Sequence, residues 1–90
     1  MKKFKGIPLT EGFRNLISDV VEEVGYEYIV TVSSTNKDFY GNGNDDEIIK
    51  YHLEHISSDY LEDDGYETVL SNGYIKGFGV YGEFLFRRKK

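Results

Sequence analysis

The stretch EGFRNLISDVVEEV, residues 11–24, places Phe13, Leu16, Ile17, Val20, Val21 and Val24 at i, i+3, i+4, i+7, i+8 and i+11. That spacing gathers all six on one stripe of an α-helix. Thr10 stands where an N-cap is wanted, Glu11 suits the first turn, and Gly25 suits a left-handed C-terminal cap. A helix over 11–24 is expected, its outer face carrying Glu11, Ser18, Asp19, Glu22 and Glu23. Upstream, Lys3 to Ile7 suggests a short edge strand. Downstream, Tyr26 to Ser33 is rich in aromatic and β-branched residues and reads as a strand partly buried on both faces.

Residues 34–44 read as a long flexible loop whose bulky groups are Phe39 and Tyr40. A second helix should begin near Asp45, which can cap it, with Asp46 and Glu47 at the positive end of the dipole. Ile49, Leu53, Ile56 and Tyr60 form its expected buried arc, flanked by Ile48 and His52. Turned outward are Glu47, Lys50, Tyr51, Glu54 and Ser58, with Lys50 and Glu54 an i, i+4 pair. The pattern fades into Glu62, Asp63, Asp64 and Gly65.

Asn72-Gly73 lies between two β-rich runs, Tyr66–Ser71 and Tyr74–Phe78, and predicts a two-residue type I′ hairpin. In that register Ser71 faces Tyr74, Val69 faces Lys76, and Leu70 pairs with Ile75 on the core side. A last strand is expected over about 83–88. The fold class is α+β in the order (β)-α-β-α-β-β(-β), with two amphipathic helices packed on one face of a small, mainly antiparallel sheet. The other face would then expose Tyr74 and Phe78, with Val80 and Phe84 as further candidates, more apolar surface than a monomer usually shows, so a homodimer is one expectation.

Ninety residues make a single domain, 1–90, with one modest core and no room for a deep interdomain cleft. Without cysteine there is no disulfide framework or thiolate metal site. The opening lacks an apolar signal region and no run is long enough to span a bilayer, so a cytoplasmic protein without membrane attachment is expected. Sixteen acids against eleven Lys and Arg give a net charge of -5, and the signs are segregated. Asp38 to Glu67 holds ten acids and one base, Lys50, whereas Lys2, Lys3, Lys5 and the run Arg87 to Lys90 are basic. The ends, 1–3 and 88–90, are expected to fray.

Several motifs fit only in part. Gly77-Phe78-Gly79-Val80-Tyr81-Gly82 spells G-x-G-x-x-G, but no helix can follow it to hold a pyrophosphate, so these read as strand glycines. Asn36, Asp38, Gly41, Asn44 and Glu47 fall on EF-hand positions, but Tyr40 occupies one that needs a short oxygen ligand. Gly41 to Asn44 precedes a helix start already supplied with carboxylates, which disfavours phosphate. His52 and His55 stand at i and i+3 without a third ligand, so no metal site is expected, and a packed, hydrogen-bonded His52 is the simpler reading. Ser33, Ser34, Ser57 and Ser58 lack a nucleophile-elbow context. No catalytic residue and no cofactor is assigned, and the chain is not read as an enzyme.

Lys76-Gly77-Phe78-Gly79 resembles the first four positions of the RNP1 stretch of RNA-recognition motif domains, departing from it at Val80, Tyr81 and Glu83. The resemblance implies a sheet whose aromatic rings stack on bases, with Tyr74, Lys76 and Phe78 as a single-stranded nucleic acid or nucleotide site.

The leading expectation is different. Glu47, Tyr51, Glu54, Glu62, Asp63 and Asp64, with Phe39 and Tyr40, form a candidate surface that docks on a basic face of a partner protein. Glu47 and Glu54 would stand about 10.5 Å apart along the helix axis. In size and charge the chain resembles small acidic antagonists encoded by mobile elements, which implies an inhibitor or nucleic-acid mimic directed at a nucleic-acid-handling enzyme.

Overall fold

Thr10 caps the first helix, α1 (Glu11–Ser18), from an extended conformation, its hydroxyl accepting the Phe13 N–H at 3.2 Å. The chain is described in a computed structural model over residues 8–20, 24–41 and 43–90, apart from the side chains of Tyr60 and Glu62. The expected strand at Lys3–Ile7 and the stripe residue Val21 lie outside the described residues.

Helix α1 ends at Ser18 and not at the expected Val24. Asp19 and Val20 close i to i-3 bonds onto Leu16 and Ile17, and the Ser18 hydroxyl donates to the Asn15 carbonyl. Continuing the helix would set Asp19, Glu22 and Glu23 against the negative end of the dipole and add the β-branched pair Val20-Val21. The stripe is cut accordingly: Phe13 and Ile17 are buried, Leu16 is half-exposed and Val24 fully exposed.

Three strands, β1 (Tyr26–Asn36), β2 (Glu67–Lys76) and β3 (Gly79–Lys89), form an antiparallel sheet in the order β1-β3-β2. The fold is α+β, with the helix α2 (Asp45–Asp63) joining β1 to β2. β1 runs past the expected Ser33 to Asn36, and a 3-10 turn, Lys37–Tyr40, occupies much of the stretch expected to be loop. The C-terminal residues Arg88 and Lys89, expected to fray, are paired in β3.

The Asn72-Gly73 hairpin is not formed. β2 passes straight through both residues, and the chain reverses at Gly77-Phe78, where Lys76 pairs with Gly79. Gly77 has φ 62° and Phe78 a negative φ, the pattern of a type II′ turn with glycine first. The register changes with it: Tyr74 faces Tyr81, Ile75 faces Val80, Gly73 faces Gly82 and Asn72 faces Glu83, with a bulge between Thr68 and Leu70. Both residues of the expected turn serve tertiary contacts. A Cβ at Gly73 would stand 2.6 Å from Ile49 Cγ2, and the Asn72 amide donates to Glu83 Oε1 at 2.8 Å.

The helices lie on opposite faces of the sheet, correcting the expectation of a shared face. Phe13 and Ile17 of α1 pack with Tyr28, Val30 and Leu85. Leu53 and Ile56 of α2 pack with Tyr66, Phe84, Phe86 and Ile29. Leu85 alternates with Phe84 and Phe86 along β3, so the two clusters point in opposite directions. The reason is in β3 itself: Val80 and the run Gly82–Phe86 are buried, as a strand covered on both sides must be. In α2 the expected arc of Ile49, Leu53 and Ile56 is half-buried, while Ile48 and His52, expected at its flank, are its most buried residues.

Candidate functional site

Asn44, and not Asp45, caps α2: its Oδ1 accepts the Glu47 N–H at 2.9 Å and its Nδ2 donates to Glu47 Oε1 at 3.2 Å. Asp45 pairs instead with Lys37 Nζ at 3.0 Å. With its inner face committed to Ile48 and His52, the helix turns Glu47, Tyr51 and Glu54 outward at i, i+4 and i+7, all exposed. The helix carries seven acids and one lysine, and no cation among the described residues pairs with Glu47, Glu54 or Asp63. The expected Lys50–Glu54 ion pair is not among those formed. Asp63 and Asp64 are exposed at the negative end of the dipole, where carboxylates oppose helix stability. Glu62 shares that end, its side chain lying outside the description.

The 3-10 turn brings Phe39 and Tyr40 beside this helix. Asn36 Oδ1 caps the turn by accepting the Asp38 N–H at 2.9 Å. The rings of Phe39 and Tyr40 meet edge-on at 5.1 Å, and Tyr40 meets His52 in the same way at 5.6 Å. Phe39 is 71% exposed.

His52 ties three elements together. Its Nδ1 lies 2.6 Å from Tyr40 Oη and its Nε2 lies 2.7 Å from Ser33 Oγ. Burial lowers the His52 pKa, with the charge of His55 adding to it, and burial raises that of Tyr40. A neutral imidazole has one N–H and one acceptor nitrogen, and the Tyr40 and Ser33 hydroxyls can each donate or accept, so either tautomer satisfies both bonds. The Ser33 hydroxyl also lies 3.0 Å from where a Cβ on Gly82 would stand, and Ser33 lines a shallow cavity. The Ser33–His52–Tyr40 chain ties β1, the 3-10 turn and α2 together, and serine-only sequence reasoning missed it because its members are 19 and 12 residues apart.

The expected nucleic-acid residues are divided by the corrected register. Tyr74 and Lys76 share one face of β2, where Tyr74 stacks on Tyr81 at 5.1 Å with the planes 15° apart. Phe78 sits in the β2–β3 turn, 79% exposed, and does not join that stack. Beside the stack a shallow cavity of about 160 Å³ is bounded by Leu9, Val32, Ser33, Ser34 and Tyr81. Deeper on the same face, fully buried Glu83 accepts from Leu9 N, Thr10 N, the Thr10 hydroxyl and the Asn72 amide, which anchors the start of α1 to the sheet. Among the described residues no three His, Cys, Asp or Glu converge as metal ligands.

The C-terminal cations engage acids outside the α2 face. Arg87 pairs with Glu67 and lies over the Tyr26 ring; Arg88 pairs with Glu27 at 3.0 Å and lies over Tyr66. Arg88 also donates to the Asp64 backbone carbonyl at 3.5 Å, and its pKa is raised first by the Glu27 hydrogen bond, then by Tyr66, and less by the charge of the exposed Asp64 carboxylate. Among the described residues, no helix is long and apolar enough to cross a membrane. Compared with known proteins, the chain matches no family model, no curated protein and no solved structure.

Proposed function

We propose that the protein is a non-enzymatic acidic module of the cytoplasm that docks the outer face of α2 on a basic surface of a partner protein, as an inhibitor or nucleic-acid mimic directed at a nucleic-acid-handling enzyme. The observation that carries the reading is the exposed row Glu47, Tyr51, Glu54, with an aromatic ring between two carboxylates that no described cation neutralises. Acids at the C-terminal end of α2 support it further, since there they cost helix stability and so are not explained by the fold. Long-range attraction would speed encounter, and burial of Tyr51 would slow release.

The test is charge reversal in the full chain, Glu47→Lys with Glu54→Lys and Glu62→Lys, followed by affinity capture from the native cell and mass spectrometry. Loss of a partner that the parent protein retains, with an unchanged circular dichroism spectrum, is expected. Capture equal to that of the parent protein rejects the reading.

A second reading rests on the Tyr74–Tyr81 stack with Lys76 on the same open face: single-stranded nucleic acid bound by stacking. It requires salt-dependent binding of single-stranded RNA or DNA that Tyr74→Ala weakens. No binding at low salt, where phosphate contacts are strongest, removes it.

A further inference from the structure

Phe39 and Phe78 belong to different segments, yet the fold sets them at one end of the molecule. Asn36 and Gly79 are partners in the β1–β3 ladder, and the Lys37 N–H donates to the Phe78 carbonyl at 2.7 Å. The 3-10 turn and the β2–β3 turn are thus joined through the backbone into one tip. Both phenylalanines are largely exposed, 71% and 79%. Neither is needed by its own turn. A type II′ reversal requires Gly77 and places no demand on residue 78, and Phe39 meets the edge-on ring of Tyr40 at 5.1 Å while staying largely exposed. Tyr40 is in turn held by His52, so the position of Phe39 is well determined before any partner arrives.

Charge around the tip selects the partner. Asp38 is exposed within the 3-10 turn, Asp46 and Glu47 are exposed in the first turn of α2, which the Lys37–Asp45 pair holds to it, and Lys76 is exposed at the base of the β2–β3 turn. Three acids that no described cation pairs with, against Lys76, leave that border net negative, which disfavours phosphates and the anionic surface of a bilayer. We propose that the 3-10 turn and the β2–β3 turn form a two-pronged aromatic anchor, Phe39 and Phe78 entering neighbouring apolar recesses of a protein partner whose rim is basic. This rests on the docking reading above and extends the contact from α2 to the adjoining end of the sheet. Two rigid aromatic prongs inside a charged border match the arrangement of binding hot spots, with apolar anchors at the centre and polar groups around them.

The test places photoreactive benzoyl-phenylalanine at position 39, 78 or 51 of the full chain in its native cells, and maps the crosslinked peptides by mass spectrometry. Positions 39 and 78 are expected to capture the same polypeptide, within a segment bordered by Lys and Arg. With that polypeptide purified, Phe39→Ala and Phe78→Ala should each weaken binding about tenfold or more at an unchanged melting temperature. If position 51 captures a partner and 39 and 78 do not, the tip proposal falls while the α2 reading stands. Failure at all three positions rejects both. Crosslinks from 39 and 78 to a second copy of this chain, or binding to phosphatidylserine vesicles that either alanine variant abolishes, would also overturn the proposal.

Discussion

Gly73 of β2 and Gly82 of β3 stand directly opposite each other, and α2 rests on the bare backbone they leave. Ile49 and Leu53 lie over Gly73, and the His52 ring lies over Gly82. A methyl group at position 73 would meet Ile49 Cγ2 at 2.6 Å, closer than carbon atoms approach, so the helix would have to lift. Gly73→Ala should therefore cost about 1–3 kcal/mol, read as a lower urea midpoint. An unchanged midpoint would show that α2 does not seat where described.

Gly77 makes the complementary case for the hairpin. At φ 62° an alanine is strained, although its Cβ would meet no neighbour. Gly77→Ala is expected to cost about 1 kcal/mol through backbone conformation alone. Its effect should add to that of Gly73→Ala, because one acts on the turn and the other on the helix seat. Equilibrium unfolding of the two single variants and the double variant measures this.

Among the described residues no cation pairs with Glu83, which is held instead by four donors from Leu9, Thr10 and Asn72. Glu83→Ala leaves those donors without their acceptor and should destabilise by about 3 kcal/mol or more. Hydrogen exchange in Glu83→Ala should show the amides of α1 losing protection before those of β3, since the carboxylate fastens the helix start to a sheet that persists without it.

The pH response follows from His52. Its folded pKa lies below the unfolded value of 6.5, so as pH falls below about 6.5 the unfolded chain takes up a proton more readily than the native state. Stability should decline there with falling pH, until the folded imidazole is protonated as well. Above that range both forms are neutral and His52 adds no slope. Urea midpoints from about pH 7.5 to pH 5.5 should fall for the parent protein and fall less for His52→Gln. Equal slopes would refute a buried neutral imidazole.

Asp63 faces the negative end of the α2 dipole with no described cation beside it. Asp63→Lys should raise stability by about 0.3–1 kcal/mol while weakening capture of the partner. Opposite signs in a melting scan and a binding assay would separate a residue kept for docking from one kept for the fold. A gain in both would argue that this end of α2 is away from the interface.

The local signals were read most accurately where the chain makes its own contacts. Thr10 caps α1 through a residue three positions away, and α2 begins where the acidic cluster marks a helix start. The outward row Glu47, Tyr51, Glu54 follows directly from helical spacing. The reading failed where one residue type serves two purposes. Asn72-Gly73 has the composition of a turn, but glycine also allows close approach of a helix and asparagine also satisfies a buried carboxylate. Nothing within a few residues of position 73 distinguishes these uses. The stripe through Val24 failed because hydrophobic spacing records which residues would share a face if the helix continued, and not where dipole and capping end it.

By itself the amino-acid order determined the elements: two amphipathic helices, aromatic and β-branched strands, and an acidic middle flanked by basic ends. These follow from periodicity and charge, which act over a single turn or a few residues. Tertiary structure decided which glycines bend the chain and which admit a helix, that α1 and α2 lie on opposite faces, and that Phe39 and Phe78 share one end. Those outcomes depend on strand register, and register is set when side chains more than ten residues apart compete for the same buried space.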